Sequence, residues 1–241
     1  MSGHSKWKTI KNRKAAQDNK RGQVFTKIAR QITVAAKEGG ADPDSNVKLR
    51  IAIDNAKAVN MPNDNVERAI SKGIGGLDGN NYEEIVYEGY GPNGVAILLE
   101  ALTDNRNRTA SELRHSFSKN GGNLGESGCV AWIFEKKGLL VVDKEIVNEE
   151  ELMLAAIEAG AEDVEIEDEV FKVLTDPSSF LVVKKSLTDS GISFLATEVT
   201  MIPQNTVTVT SMESNRLEKL VDILEELDDI QAVYCNFEVS E

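Results

Sequence analysis

The first thirty residues carry side chains suited to binding a polyanion. They hold nine Lys and Arg side chains against one acid, Asp18, in a chain whose net charge is −13. Many cations within reach of one phosphate backbone release its condensed counterions, and an indole can stack on an unpaired base. The pattern predicts a site for nucleic acid, without choosing between DNA and RNA. The residues expected to make contact are Lys6, Trp7, Lys8, Lys11, Arg13, Lys14, Lys20, Arg21, Lys27 and Arg30. The structural alternative is a solvated terminus with its indole packed on neighbouring helices.

A second candidate is the polar stretch "TDNRNRT", residues 103–109, between an apolar strand and a helix. At a helix N-terminus such groups can hold a phosphate or a backbone carbonyl. The alternative is a loop whose side chains bond only to their own backbone. Thr109 and Glu112 have the spacing of a capping box, which predicts that the helix begins at this point. The candidate functional loop comprises Asp104, Asn105, Arg106, Asn107, Arg108 and Thr109.

Side chains typical of catalysis or of metal binding are few. The histidines, His4 and His115, lie in no nucleophile elbow or HExxH motif, and the two cysteines are too far apart in sequence for a redox pair or a zinc-ligand spacing. The glycine-rich "GGNLGESG", residues 121–128, runs from a helix into a strand and lacks the Lys-Ser/Thr of a P-loop, which favours turn chemistry. We therefore expect no catalytic residue, no metal, no cofactor and no enzymatic activity.

Charge is divided along the chain. Residues 1–76 carry a net charge of +8 and residues 77–241 a net charge of −21. A negative body repels phosphates and so orients the basic end toward them. No apolar run approaches the length of a membrane span, and the first residues lack the apolar core of a signal peptide. These features predict a cytoplasmic protein without membrane contact.

Periodicity predicts helices in the first block. Between Val24 and Lys37 one side of a 100° helix is apolar, and further helices are expected over residues 45–59 and from about residue 64 to Gly73. The glycine-rich stretch 73–81 then has the composition of a linker. A helical basic domain is therefore predicted over residues 1–77.

The remaining chain alternates strands and helices. From Gly138 the order is βαββαβ, which is ferredoxin-like, and the tail adds a strand, a helix and a final strand "AVYCNFEV" that lack a sheet of their own. Joining the tail to the two strands and helix of residues 82–135 supplies that sheet. The predicted fold is α+β: a three-helix domain and two α/β sandwich domains, one ferredoxin-like (136–203) and inserted into the other (78–135 plus 204–241).

Several motifs together resemble the YebC/PmpR family. They are "GHSKW", "RKAAQD", "FTK", "MPNDNVERAI", "YEGYGP", "TDNRNRT", "GGNLGESG" and "NFE", which span nearly the whole chain in order. The resemblance implies a helical N-terminal domain with two α/β domains, and nucleic-acid contacts on the basic N-terminal positions. Many members of the family carry histidine where this chain has Asn12, so a contact that needs an imidazole there is not expected.

The resemblance also implies a function. Members of the family are described as DNA-binding transcriptional regulators, and related bacterial and mitochondrial proteins as translation factors that act on the ribosome. We expect a non-enzymatic regulator of gene expression that binds DNA. The alternatives are a ribosome-associated translation factor that binds ribosomal RNA and an enzyme that acts on a small phosphorylated substrate. The oligomeric state is left open by the sequence.

Overall fold

The computed structural model describes residues 21–75, 82–167 and 169–240. The helices are, in chain order, α1 (Arg21–Gly39), α2 (Val47–Ala58), α3 (Asn63–Ile74), α4 (Arg106–Lys119), α5 (Glu149–Ala159), α6 (Phe180–Asp189) and α7 (Ser211–Glu225). The strands are β1 (Glu83–Tyr90), β2 (Ala96–Thr103), β3 (Asn123–Leu124), β4 (Phe134–Asp143), β5 (Asp163–Ile166), β6 (Val170–Thr175), β7 (Ala196–Pro203), β8 (Val207–Val209), β9 (Ile230–Cys235) and β10 (Phe237–Val239).

Helices α1, α2 and α3 form the helical domain. Their shared core is built from small and branched apolar side chains, among them Ile32, Leu49 and Ala56, which are fully buried. Gly73 of α3 lies so close to α1 that a Cβ there would meet the backbone oxygen of Thr33 at 2.5 Å. The apolar stripe therefore places α1 against both other helices, as its period predicts.

The second unit, which we call the middle domain, contains a four-stranded antiparallel sheet in the order β3-β1-β2-β9. Strand β9 from the C-terminal tail pairs with β2 along residues 97–101, so the tail completes the sheet begun after residue 82. Helices α4 and α7 cover one face of this sheet, and Leu113, Phe117, Leu217 and Leu220 are completely buried there. Two far-separated segments of chain thus share one core.

The third unit has the order β4-α5-β5-β6-α6-β7, with its antiparallel sheet in the order β5-β6-β4-β7. This is the ferredoxin-like arrangement. Helices α5 and α6 pack over the sheet through a common core that includes Leu152, Ala156, Val183 and Leu187. The predicted fold class is confirmed: a three-helix domain is followed by two α/β units, with the ferredoxin-like one lying within the sequence of the other. The domain boundaries at residues 77, 135 and 203 stay a prediction.

The C-terminal strand differs from its prediction, because it is interrupted at Asn236. The buried side-chain oxygen of Asn236 accepts a hydrogen bond from the backbone N–H of Ala96 at 2.7 Å, and the backbone carbonyl of Asn236 accepts one from the N–H of Val207 at 2.7 Å. The chain therefore leaves β2 at this point and pairs in parallel with β8 as β10. Alternation of apolar residues continues through the break, which explains why the sequence indicates one strand.

Candidate functional site

The basic segment lies mostly outside the described residues. Those of its predicted contacts that fall there are Lys6, Trp7, Lys8, Lys11, Arg13, Lys14 and Lys20. Arg21 begins α1, although the described part of the chain does not include its side chain. The nucleic-acid role of these residues stays a prediction. Lys27 and Arg30 are the predicted contacts whose surroundings are described.

Lys27 and Arg30 attach α1 to the middle domain. The ammonium of Lys27 donates to the carbonyl oxygen of Glu225, the last residue of α7, at 2.6 Å. A cation at that position complements the partial negative charge of a helix C-terminus. One turn along α1, Nη1 of Arg30 donates to the carbonyl of Asp228 at 2.6 Å and to Oδ1 of Asp229 at 2.7 Å. We call this contact between α1 and residues 225–231 the domain joint.

Asp229 is the centre of the domain joint. Its side chain is only 3% exposed, and it accepts hydrogen bonds from the hydroxyls of Thr109 (2.6 Å) and Thr103 (3.0 Å) and from Nη2 of Arg108 (2.8 Å), besides Arg30. Burial alone would raise the pKa of this carboxyl, but the hydrogen bonds from Thr109, Arg108, Thr103 and Arg30 outweigh it and hold the pKa below its ordinary value. The buried group is therefore a carboxylate at neutral pH.

The candidate loop supplies Arg108 and Thr109, two of the four side chains that donate hydrogen bonds to Asp229. Residues 104–108 are exposed and Thr109 is completely buried. Arg108 forms ion pairs with both Asp104, at 2.7 Å, and Asp229, at 2.8 Å. Arg106 pairs with Glu83 at 2.6 Å. The arginines of the loop are thus bound to carboxylates of the same chain. Asn107 is exposed at the start of α4.

The predicted capping box in this loop is wrong. Helix α4 begins at Arg106, and its N-cap is Asn105, whose side chain accepts from the backbone N–H of Arg108 at 3.1 Å. Thr109 lies inside the first turn, where its hydroxyl donates to Asp229 instead of accepting from the backbone N–H of Glu112. Sequence reasoning placed Thr109 in the correct loop and assigned it the wrong partner, because the partner lies 120 residues away.

A cleft opens beside the domain joint, and acidic side chains dominate its lining. Its residues are Arg30, Tyr82, Asp104, Arg108, Glu112, Glu226, Leu227, Asp228 and Asp229. Five carboxylates therefore face two guanidiniums, of which Arg30 also lies 5.6 Å from the ring centre of Tyr82. This balance opposes the binding of a phosphate in the cleft. The geometry fits a structural joint better than a site for a small phosphorylated substrate.

The glycine-rich loop holds an anion that belongs to the chain itself. The backbone N–H groups of Gly128, Val130 and Ala131 donate to the carboxylate of Glu88 at 2.6 to 2.7 Å. Burial would raise the pKa of Glu88, but these three hydrogen bonds lower it below its ordinary value. The predicted turns are present at residues 120–121 and 127–128. Glu88 was missed by sequence reasoning, although an acid on the same face of β1 as Val86 and Tyr90 was a usable signal.

Within residues 21–75, 82–167 and 169–240, no group of three or more His, Cys, Asp or Glu side chains is arranged to hold a metal ion. No helix in these same ranges is both long and apolar enough to cross a membrane.

Family models divide the chain at the glycine-rich stretch. Residues 5–76 match the model of the TACO1/YebC protein N-terminal domain, and residues 82–237 match that of the TACO1/YebC second and third domain. The chain belongs to the TACO1/YebC family. The family resemblance inferred from the motifs is therefore confirmed.

Relatives match this chain from end to end. One, named "Probable transcriptional regulatory protein" with a locus label, comes from Geobacter sp. strain M21 and is 58% identical over 241 residues, which cover 100% of this chain and 97% of the relative. Another with the same description, from Desulforamulus reducens, is 54% identical over 240 residues and 99% of both chains. The crystal structure of a conserved hypothetical protein from Aquifex aeolicus has a TM-score of 0.79, with 48% identity and 93% of each chain covered.

Proposed function

We propose that this protein is a nucleic-acid-binding regulator of gene expression that acts by its placement on a polyanion and carries out no chemistry. The observation that carries the proposal is the division of charge: nine cations and one acid in residues 1–30, against a net charge of −21 in residues 77–241. Neutralising phosphates releases counterions, which supplies most of the sequence-independent affinity of such proteins. The names of the relatives, probable transcriptional regulatory proteins, support the same class.

The acidic residues 77–241, which we call the acidic body, determine which end of the protein approaches phosphates. Because the middle and ferredoxin-like domains are strongly negative, they repel phosphates and leave the N-terminal end to approach them. Lys27 and Arg30 have carbonyl and carboxylate partners in the domain joint. Phosphate contact is therefore assigned to the cations from Lys6 to Arg21, and Lys27 and Arg30 hold the helical domain in a fixed direction relative to the body.

A charge-matched pair of variants tests the phosphate contacts. One full-length variant replaces Lys8, Lys11, Arg13 and Lys14 by Ala. The other replaces the same numbers of Lys and Arg on exposed positions of the acidic body, namely Arg114, Lys119, Lys136 and Lys219. Both have the same net charge. Affinity for duplex DNA is measured over a range of salt concentrations.

The first variant should lose affinity, and its log-log dependence on salt should flatten by about 0.9 for each phosphate contact removed. The second should keep the slope of the unmodified protein. Equal slopes in all three proteins would show that the N-terminal cations touch no phosphate and would reject the proposal.

Duplex DNA is the proposed target, in keeping with the names of the relatives. Ribosomal RNA is the alternative that the same cations could bind. A competition between labelled duplex DNA and purified ribosomes, at one stated salt concentration, separates the two. Retention of DNA in the presence of equimolar ribosomes supports the DNA target, whereas transfer of the protein to the ribosomal pellet favours a translation factor.

A further inference from the structure

Two aromatic side chains at one end of the middle domain are held by a single carbonyl oxygen. The indole N–H of Trp132 donates to the carbonyl of Cys129 at 3.1 Å, and the hydroxyl of Tyr90 donates to the same oxygen at 3.0 Å. The polar ends of the two side chains therefore lie next to each other. We call Trp132 and Tyr90 the ring pair.

The backbone that holds the ring pair is itself fixed. Three backbone N–H groups on either side of Cys129 donate to the buried carboxylate of Glu88. Glu88 precedes Tyr90 by two residues on β1, so one strand carries the first ring and anchors the loop that carries the second. Groups that are already held in place lose little conformational entropy when a partner binds them.

The ring pair is exposed although its polar groups are used. Trp132 is 66% exposed and Tyr90 is 37% exposed. Because the indole N–H and the hydroxyl already have an acceptor within the chain, a partner meets the surfaces of the rings and not their hydrogen-bonding groups. Three kinds of group pack on such surfaces: an apolar side chain, an unpaired base and a cation.

The charges around the ring pair distinguish among these groups. Strand β1 and residues 121–135, which carry the two rings, contain five glutamates and no Lys or Arg. The cations that flank the second segment, Lys119 and Lys136, lie outside it on α4 and β4. A nucleic acid would bring phosphates toward carboxylates with no cation of these segments to meet them. The local charge therefore disfavours a base as the group that covers the rings.

An exposed carboxylate close to the rings favours a cation over an apolar side chain. Glu126 is exposed, and its backbone carbonyl accepts from the N–H of Cys129 at 3.2 Å. Burial, followed by the charges of Glu88 and Glu126, raises the pKa of the Cys129 thiol, so the Glu126 carboxylate is near the residue that holds both rings. A guanidinium or ammonium would be attracted by the ring faces and by this carboxylate, whereas an apolar side chain would gain nothing from the charge.

We propose that the ring pair and Glu126 bind an Arg or Lys side chain carried by a basic segment of another protein. The domain joint lies at the opposite end of the middle sheet, since the carbonyl of Asp229 accepts from the N–H of Leu102 near the beginning of β1. Tyr90 ends this strand of eight residues, which spans roughly 25 Å. Helix α1 starts at the joint, and this distance favours a separate protein over residues 1–20 of the same chain.

Fluorescence anisotropy of a labelled peptide of alternating Arg and Gly, titrated with the full chain at physiological ionic strength, tests the ring pair. Trp132→Leu should weaken binding about fivefold, because leucine is apolar but has no π-face. Trp132→Phe keeps an aromatic face and should retain most of the affinity. Circular dichroism verifies that both variants are folded. Equal affinity of the unmodified protein and Trp132→Leu would overturn the proposal.

A change of charge tests the carboxylate. Glu126→Gln should weaken binding of the Arg peptide about threefold. Glu158→Gln, at an exposed position of α5, gives the same net charge and should have little effect. Equal losses in the two variants would mean that the peptide responds only to the overall charge of the acidic body, and would overturn the proposal.

The same assay tests an apolar partner. A peptide with citrulline in place of each Arg has nearly the same shape without the charge, and it should bind at least about tenfold more weakly. If it binds as tightly as the Arg peptide, an apolar segment is the occupant and the proposal is overturned.

The emission of Trp132 tests the two remaining occupants. Trp7→Phe leaves Trp132 as the single tryptophan of the full chain. Its emission should change with the Arg peptide, and a response to a single-stranded oligothymidine instead would assign the rings to a base. Replacing Lys8, Lys11, Arg13 and Lys14 by Ala in this background should leave the emission unchanged. A shift would show that the chain's own basic segment covers the rings, which overturns the choice of another protein.

Discussion

Arg30 and Asp229 are joined by a hydrogen bond of 2.7 Å, although 199 residues separate them in the sequence. The guanidinium side chain is 16% exposed and the carboxylate side chain 3%. Arg30 belongs to the helical domain, and Asp229 precedes the strand that completes the middle sheet. Because the carboxylate also binds Arg108, Thr103 and Thr109, its position is fixed from within the middle domain. The buried charge of Asp229 thus helps to fix the direction of α1 relative to the acidic body, together with the bond from Lys27 to Glu225.

Asp229→Asn should destabilise the protein by about 2 to 4 kcal/mol, because two arginines lose a buried charged partner and an amide cannot accept all the hydrogen bonds of a carboxylate. Denaturation by urea at neutral pH measures the change. Asp228→Asn is the matched control, since the side chain of Asp228 is 61% exposed and lies 4.0 Å from Arg30. It should change the free energy of unfolding little. Equal losses in the two variants would contradict the role given to Asp229.

The helices and the ferredoxin-like order were accessible from sequence because they depend on local patterns. Period and capping act within a few turns, and the βαββαβ order determines the sheet once the crossovers are right-handed. That the tail joins the sheet begun by residues 82–135 followed from the need of a lone tail for a sheet, whereas its pairing with β2 came from the structure. Each of these inferences used only short-range periodicity and the requirement to bury apolar surface.

The domain joint was not accessible in the same way. A helical period places Lys27 and Arg30 on the polar side of α1, but it does not say whether that side faces water or another domain. Asp229 lies in a short acidic turn, next to Asp228, and no local pattern distinguishes the buried carboxylate from the exposed one. Long-range charge pairing leaves no periodic trace in the sequence, and so the structure was required.

Stability should fall with acid because two buried carboxylates, Glu88 and Asp229, have pKa values below their ordinary range. A lowered pKa in the folded state contributes stability that is complete above the unfolded pKa, about 4, and is lost as the pH falls through the folded pKa. Glu88→Gln should lower stability at pH 7 by about 1 to 3 kcal/mol, since the amide N–H₂ faces backbone donors. It should also lose less stability between pH 7 and pH 3 than the unmodified protein does.

Thermal or urea unfolding at both pH values measures this difference. Glu126→Gln is the control, because Glu126 lies exposed in the same glycine-rich loop. We expect its stability and its pH dependence to match those of the unmodified protein. A Glu88→Gln variant with an unchanged acid response would mean that the carboxylate is not the group that titrates.

The start of α4 can be verified by substitution of Asn105, its N-cap, and of Glu112, which would belong to the capping box if the helix began at Thr109. Asn105→Ala should cost about 1 kcal/mol, since the backbone N–H of Arg108 loses its acceptor, whereas Asn105→Asp should retain the cap. Asn107→Ala, at an exposed neighbouring position, should have little effect. Glu112→Gln should also be neutral, as Glu112 takes part in no capping box. A loss at Glu112 with none at Asn105 would restore the helix start predicted from the sequence.

Two glycines of the helical domain should respond in opposite directions to alanine. A Cβ at Gly73 would meet the backbone oxygen of Thr33 at 2.5 Å and Cβ of Ala36 at 2.9 Å, so Gly73→Ala should destabilise the domain by about 1 to 3 kcal/mol. A Cβ at Gly22, in the first turn of α1, meets no atom of the described residues within 4 Å. Gly22→Ala should therefore stabilise it by up to about 1 kcal/mol through helix propensity. Helix content followed during urea denaturation compares the two, and a stabilising Gly73→Ala would exclude the close approach of α3 to α1.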